Sequence, residues 1–143
     1  MDTELERFIK AQENDYARAL EEIQAGRKRS HWIWYVFPQL RGLGRSAMAD
    51  YYGLADRGEA ERYALHPLLG SRLREVTSTL LALPEILSAV DVLGDVDAVK
   101  VRSCMTLFAA VTGERLFRDV LVRFYGGQED GRTLQMLSAD RKD

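Results

Sequence analysis

The chain has 143 residues, of which 46% are hydrophobic and 29% are charged, and its net charge is −2. This composition is typical of one folded domain and speaks against disorder, and the acidic balance argues against bulk binding of nucleic acid. The single cysteine excludes an intrachain disulfide, and no apolar run approaches the ~20 residues of a membrane helix. The acidic stretch at positions 1–4 does not resemble a secretory signal. We therefore expect one cytoplasmic domain over residues 1–143, with no membrane or nucleic-acid partner.

The first element in chain order is a long helix. Apolar side chains recur at helical spacing over residues 5–23, and Gly26 suits the left-handed residue that follows a helix end. Thr3 and Glu6 have the spacing of a capping box at its start. We interpret the basic run at residues 27–29 as favourable charge beside the helix C-terminus, with a phosphate-binding patch as the alternative.

Further helices are predicted from periodicity and from capping residues. Their spans are 46–54, 58–65, 67–81, 84–90, 95–111, 116–125 and 130–137. The residues expected to begin them include Ser46, Pro67, Pro84, Asp95 or Asp97, and Asp130 or Thr133. Only residues 32–37, rich in aromatic and β-branched side chains, indicate a strand, and one strand cannot form a sheet. The sequence therefore predicts an all-α fold, a compact single-domain bundle of seven or eight helices, some of them short.

The core is expected to include Leu5, Phe8, Leu20, Ile23, Leu73, Leu80, Leu107, Phe108, Phe117, Leu121 and Phe124.

Residues 31–46 differ from the rest of the chain. They contain both tryptophans and end in a glycine-rich turn flanked by Arg41 and Arg45. Backbone N–H groups of such a turn can converge on an anion, and aromatic faces can hold a flat ring. The segment therefore predicts a site for a ligand with a ring at one end and a phosphate or carboxylate at the other. For Trp32 and Trp34 taken singly, however, we favour packing in the core over ligand contact, because large aromatic side chains usually fill the core.

Residues 42–47 match the Gly-x-Gly-x-x-Ala form of the dinucleotide fingerprint. That fingerprint works at the end of a strand within a βαβ unit, and no parallel strands are predicted here. We therefore expect no dinucleotide cofactor. His31, His66 and Cys104 are too few for a standard structural zinc site, so no metal is expected either.

Other polar residues offer additional chemistry. His31 borders the aromatic segment; we favour a structural role for it, with action as an acid or base near neutral pH as the alternative. Lys100, Ser103 and Thr106 are spaced to share one face of a helix. This face is either a second wall of a pocket or a solvent-facing stripe. Cys104 is expected to be an inert core residue.

The motifs resemble a known bacterial family. His31-Trp32-Ile33-Trp34, followed by Phe-Pro-Gln-Leu-Arg-Gly-Leu-Gly at residues 37–44, looks like the hallmark of the family called domain of unknown function 1810. Similar landmarks lie at residues 59–63, 66–73, 97–108 and 124–134, so the resemblance covers nearly the whole chain. It implies a compact all-α domain and no settled activity, and Cys104 stands where the family usually has serine. The name calpastatin, which some members carry, gains no support, because such inhibitors are long, disordered and repetitive.

Two functions are compatible with these features. The first is binding of an anionic nucleotide-like or ADP-ribose-like small molecule, with hydrolysis as an extension. The architecture looks similar to another bacterial helical family that cleaves N-glycosidic bonds of ADP-ribose-type metabolites, and Asp95, Asp97 and Asp130 are candidates for the carboxylate such chemistry needs. The second is a non-enzymatic protein-interaction or adaptor domain.

We expect a monomer or weak homodimer. The candidate site residues are His31, Trp34, Gln39, Arg41, Gly42, Gly44, Arg45, Asp97 and Lys100.

Overall fold

The computed structural model describes residues 3–141, without the side chain of the last of these, and builds them from helices. A short 3-10 helix, Thr3–Leu5, precedes nine α-helices in this part of the chain. They are α1 (Glu6–Gln24), α2 (Ile33–Val36), α3 (Ala47–Tyr52), α4 (Arg57–Leu65), α5 (Leu69–Leu81), α6 (Ala89–Leu93), α7 (Asp95–Thr112), α8 (Arg115–Tyr125) and α9 (Gly131–Arg141). The predicted all-α class is confirmed, and α2 is the helix beyond the predicted seven or eight. The first two residues of the acidic stretch and the predicted domain limits at residues 1 and 143 lie outside the described residues.

Helix α1 follows the predicted apolar stripe but starts differently from the prediction. Its C-terminal end is as expected, because Gly26 adopts a left-handed conformation with φ +82°. The capping box predicted from Thr3 and Glu6 is wrong. The 3-10 turn precedes the helix, and the N-cap residue Leu5 forms no side-chain cap. A 3-10 turn can satisfy the first backbone N–H groups in its place.

The strand predicted at residues 32–37 is also wrong, because this stretch contains the single helical turn α2. The backbone N–H of Val36 donates to the Trp32 carbonyl at 3.2 Å, and that of Phe37 donates to the Ile33 carbonyl at 3.0 Å. Every side chain of the stretch except Trp34 is buried. The aromatic and β-branched residues of this stretch are therefore explained by burial between helices. Strand propensity does not distinguish such burial from the formation of a sheet.

A backbone bridge closes the loop that carries the glycine-rich turn and α3. Leu40 and Leu54 form an isolated parallel β-bridge, with the Arg41 N–H donating to the Leu54 carbonyl at 2.8 Å. Within the loop, the Ser46 hydroxyl accepts a hydrogen bond from the Ala49 N–H at 3.0 Å, which confirms the predicted cap of α3. The bridge thus holds together the two ends of the loop at residues 40–54, which contains the glycine-rich turn and α3.

Helix α6 begins later than predicted. The sequence predicts a start at Pro84, but the helix starts at Ala89 and is held by a capping box between Ser88 and Asp91. Helix α7 begins at Asp95 with Gly94 as its N-cap, so neither Asp95 nor Asp97 caps it through its side chain.

The core is centred on α7, which packs against α4, α6, α8 and α9. Every predicted core residue is buried except Leu20 and Phe124, which are partly buried against the same cluster. Phe108 lies at 0% exposure between Tyr63 and Phe117, with ring centroids 5.7 and 5.8 Å away. None of the helices described is long and apolar enough to cross a membrane.

Candidate functional site

Three of the predicted site residues surround one small void. Trp34 from α2, Gln39 from the segment after α2 and Lys100 from α7 line a cavity of about 10 Å³, together with Phe37, Ala49, Tyr52 and Gly53. We call Trp34, Gln39 and Lys100 the Trp34 cluster. Aromatic rings thus meet an indole N–H, an amide and an ammonium group at one place.

The three polar groups of this cluster lack strong partners. The Nε1 of Trp34 is shielded from solvent and has no hydrogen-bond acceptor among residues 3–141. The side-chain amide of Gln39 forms no hydrogen bond in the described part of the chain. The Nζ of Lys100 lies 3.6 Å from the Oδ1 of Asp97, which is longer than a normal hydrogen bond. A buried donor without an acceptor costs about 1–3 kcal/mol of stability. Binding of a group that accepts a hydrogen bond from the Trp34 Nε1 would therefore be favourable.

Asp97 connects the Trp34 cluster to the basic run after α1. Its Oδ2 lies 2.9 Å from the Nζ of Lys28, while its other oxygen faces Lys100. Lys28 also donates to the Ser30 carbonyl and lies 5.1 Å from the centre of a Trp32 ring. Its charge is therefore used inside the protein rather than presented with its neighbours as a phosphate-binding patch.

Glu22 organises the segment that leads into the site. One of its oxygens accepts hydrogen bonds from the Arg29 N–H at 2.7 Å, the Ser30 N–H at 2.9 Å and the Trp32 Nε1 at 2.9 Å, and the other accepts one from the Ser30 hydroxyl at 2.6 Å. Burial raises the pKa of Glu22, but these hydrogen bonds outweigh it and lower the pKa to about 2. Trp32 is consequently a core residue with a satisfied indole. No local sequence pattern marks Glu22 for this role.

Gly44 allows the chain to pass close to the cluster. A Cβ atom at this position would lie 2.6 Å from the Cβ of Ala49 and 3.3 Å from the Nε2 of Gln39. Gly42 has a positive φ of +103°, and its carbonyl accepts a 3.5 Å hydrogen bond from Arg132 on α9. Gly44 therefore contributes close packing beside Gln39, whereas Gly42 contributes the turn.

The structure places Arg41 in a different and larger cleft. This cleft has a volume of about 670 Å³ and lies between the N-terminal helices and α3, with Arg7, Lys10 and Asp50 among its lining residues. The Nε of Arg41 donates to the backbone carbonyl of Asp50 at 3.0 Å. His31 and Arg45 are exposed and, like Gly42, line neither cavity. The residues brought together are therefore Trp34, Gln39 and Lys100, with Gly44 and Asp97 adjacent.

Of the three residues predicted to share one face of α7, Lys100 lines the void, whereas Ser103 and Thr106 contact Asp130. The Oδ2 of Asp130 accepts hydrogen bonds from the Ser103 hydroxyl at 3.0 Å and from the Thr133 hydroxyl and N–H at 2.5 and 3.3 Å. The Thr106 hydroxyl accepts the Asp130 N–H at 2.9 Å. Burial raises the pKa of Asp130, but the hydrogen bonds from Thr133 and Ser103 outweigh it and lower the pKa. Ser103 and Thr106 thus anchor the start of α9.

We expect Asp130→Asn to lower the free energy of unfolding by about 1–3 kcal/mol, because an amide cannot accept this set of charge-assisted hydrogen bonds. Chemical denaturation measures the loss. Asp119→Asn is the matched control, since Asp119 pairs with an exposed Arg115 at 3.9 Å and should change stability by less than about 0.5 kcal/mol. Equal effects of the two substitutions would show that the Asp130 network does not hold α9.

Cys104 is fully buried, and burial raises the pKa of its thiol well above the ordinary value. A thiol of this kind is a poor nucleophile. The expected inert role in the core therefore agrees with its position.

The fold and the clustered motif residues define the class of this chain as a small all-α domain built around one central helix. The chain belongs to the family described as protein of unknown function (DUF1810), whose sequence profile matches residues 2–137. The chain is also similar to the crystal structure of the conserved hypothetical protein Rv1873 from Mycobacterium tuberculosis at 1.38 Å, with 45% identity and a TM-score of 0.91 over 94% of this chain and 96% of that one. No curated protein matches it. The resemblance inferred from the sequence motifs is confirmed.

Proposed function

We propose that this domain binds a small anionic molecule, of the nucleotide-like or ADP-ribose-like class, at the Trp34 cluster. The proposal rests on three N–H-bearing groups that surround one void and lack strong acceptors. A phosphate or carboxylate oxygen is the acceptor that best matches an ammonium group, an indole N–H and an amide together.

The size of the void limits how such a ligand would bind. A cavity of about 10 Å³ has room for a single oxygen atom. The ligand would therefore insert one anionic oxygen and leave its larger part outside. The half-buried ring of Trp34 is the aromatic face on which a base could pack.

We propose binding rather than hydrolysis, because none of the three carboxylates considered from the sequence lines the void. Asp97 forms a close ion pair with Lys28 at 2.9 Å and a longer one with Lys100 at 3.6 Å, and Asp130 holds the start of α9. Asp95 lines a separate cavity. A general acid must reach the leaving group, and these positions do not supply one.

A second candidate function, a protein-interaction or adaptor domain, is favoured by a different surface. At the junction of α4 and α5, Leu65 is 81% exposed and Leu68 is 37% exposed, on either side of the exposed Pro67. Exposed apolar residues that adjoin one another are typical of contact sites. This second function requires no ligand at the Trp34 cluster.

The two tryptophans provide a matched test. Trp34→Phe removes an N–H that has no acceptor, so we expect stability to change by less than about 1 kcal/mol while affinity for an anionic ligand falls about 5- to 100-fold. Trp32→Phe removes the N–H that Glu22 accepts and leaves a void in the core. It should cost about 2–4 kcal/mol of stability and leave ligand affinity unchanged.

Thermal shift with ADP-ribose, AMP and inorganic phosphate measures both effects, because a ligand that binds the native state raises its stability. Lys100→Met serves as a second variant that removes the positive charge. The proposal fails if none of the three compounds stabilises the protein, or if Trp34→Phe and Lys100→Met respond to them as the natural chain does.

A further inference from the structure

A separate cavity lies where α6, the first turns of α7 and the end of α8 meet. Its volume is about 290 Å³, and no residue lines both this cavity and the void of the Trp34 cluster. Most of its lining is apolar. The apolar lining residues include Ala89, Val90, Ala98, Val99 and Phe124. Val90 and Val99 are 49% and 57% exposed, so their aliphatic side chains face water in the free protein.

Arg102 is the basic residue of this cavity, and its guanidinium has no close acceptor. Its Nε is shielded from solvent without a hydrogen-bond partner, and no ion pair or side-chain hydrogen bond of Arg102 occurs within residues 3–141. Asp130 attracts it over a longer distance, but that carboxylate is already hydrogen-bonded by Ser103 and Thr133. Asp95 also lines the cavity but forms no ion pair with Arg102 in the described part of the chain. An arginine in this position has unused capacity to bind a carboxylate.

We propose that this cavity is a binding site for a small aliphatic carboxylate. The aliphatic chain would pack on Val90, Val99 and Phe124, and the carboxylate would accept hydrogen bonds from the guanidinium of Arg102. Apolar contact supplies the driving force for the chain, and the planar guanidinium matches a carboxylate with two parallel hydrogen bonds. The cavity is at the small end of ligand sites, which span about 300–1,000 Å³, so it suits a short chain.

The wall of the cavity is fixed before a ligand arrives. The hydroxyl of Tyr125 donates to the carbonyl of Ala98 at 2.6 Å and thereby ties the end of α8 to α7. The nearby Arg123 donates to the carbonyls of Pro84 and Leu87 at 2.7 and 3.1 Å, which holds the segment before α6 against α8. Because this wall is already ordered, ligand binding costs less conformational entropy.

Octanoate is the probe, titrated into the full chain and followed by amide chemical-shift changes around the cavity. We expect octanoate to bind, and octanol, which lacks the charge, and acetate, which lacks the chain, to bind about tenfold more weakly or worse. Equal binding of octanol and octanoate would overturn the role of Arg102. Absence of any shift at these residues with octanoate would overturn the site.

Substitutions distinguish the contribution of the Arg102 charge to octanoate binding from the contribution of apolar packing. Arg102→Met keeps the aliphatic stem and should weaken octanoate binding about tenfold or more, whereas Asp95→Asn removes a repelling carboxylate and should strengthen it a few-fold. Val99→Asp changes an exposed position, so it should fold even if Arg102→Met does not, and it should also weaken binding. Unchanged affinity in Val99→Asp and Asp95→Asn would contradict the proposal.

Discussion

Replacing Phe108 by alanine is expected to lower the free energy of unfolding by about 3–5 kcal/mol, the largest loss we predict for a single substitution. Phe108 lies on α7 at the centre of the core, is completely buried and contacts the rings of Tyr63 and Phe117. Because neighbouring helices are already packed around it, the space left by the ring cannot close without moving them.

Urea denaturation monitored by circular dichroism measures this loss. Val122→Ala on α8 is the control, because Val122 is 61% exposed and should change stability by less than about 0.5 kcal/mol. A loss below about 1 kcal/mol for Phe108→Ala would mean that α7 does not occupy the centre of the fold.

Replacing Glu22 by glutamine is expected to cost about 2–4 kcal/mol, because the substitution removes a charged acceptor of four hydrogen bonds and directs an amide group toward existing donors. The buried indole of Trp32 is the most severely affected donor. The neighbouring Glu21 is exposed, so Glu21→Gln is a matched control expected to have an effect below about 0.5 kcal/mol. Similar losses in the two variants would contradict the role assigned to Glu22.

Glu22 also predicts a dependence of stability on pH. Its pKa falls from an ordinary value of 4.5 to about 2 in the folded protein. The unfolded chain therefore takes up a proton first as the pH drops, and the contribution of Glu22 is complete above pH 4.5 and is lost between pH 4.5 and about 2. The lowered pKa of Asp130 acts in the same direction. Denaturation curves over this range should fall more steeply for the natural chain than for Glu22→Gln, and parallel curves would contradict the prediction.

Local signals in the sequence predict most of the helices. Gly26 and Gly126 end α1 and α8 in left-handed conformations because the chain must turn there, and glycine does so at little cost. Ser46 caps α3 for an equally local reason, since its hydroxyl needs only a backbone N–H three residues away. Because these interactions join near neighbours in the chain, residue spacing is enough to predict them.

Where two local signals lie close together, the sequence alone does not decide between them. Pro84 is suited to the first turn of a helix, and the Leu87 N–H does donate to its carbonyl at 3.0 Å. This contact forms a single turn, however, and α6 begins at Ala89 instead. The reciprocal capping box of Ser88 and Asp91 satisfies two backbone N–H groups and sets the start of the helix there.

The short helix α2 and the candidate site depend on tertiary contacts, which the spacing of residues in the sequence does not predict. Residues 32–37 are buried on nearly every side, so the alternation that separates strand from helix is absent. Lys100 and Trp34 line the same void although they are far apart in the chain, so residue spacing does not associate them. Glu22 and its four donors are close in sequence, but their convergence depends on how the chain leaves α1.

The indole N–H resonances of the two tryptophans, observed in a ¹⁵N-correlated spectrum during titration with ADP-ribose, test whether the Trp34 cluster binds an anion. Trp34→Phe assigns the two signals, since one of them disappears in that variant. If the cluster binds the ligand, the Trp34 signal shifts as its N–H gains an acceptor, while the Trp32 signal, whose N–H already donates to Glu22, stays in place. A Trp34 signal that does not move at saturating ADP-ribose would contradict the proposed function.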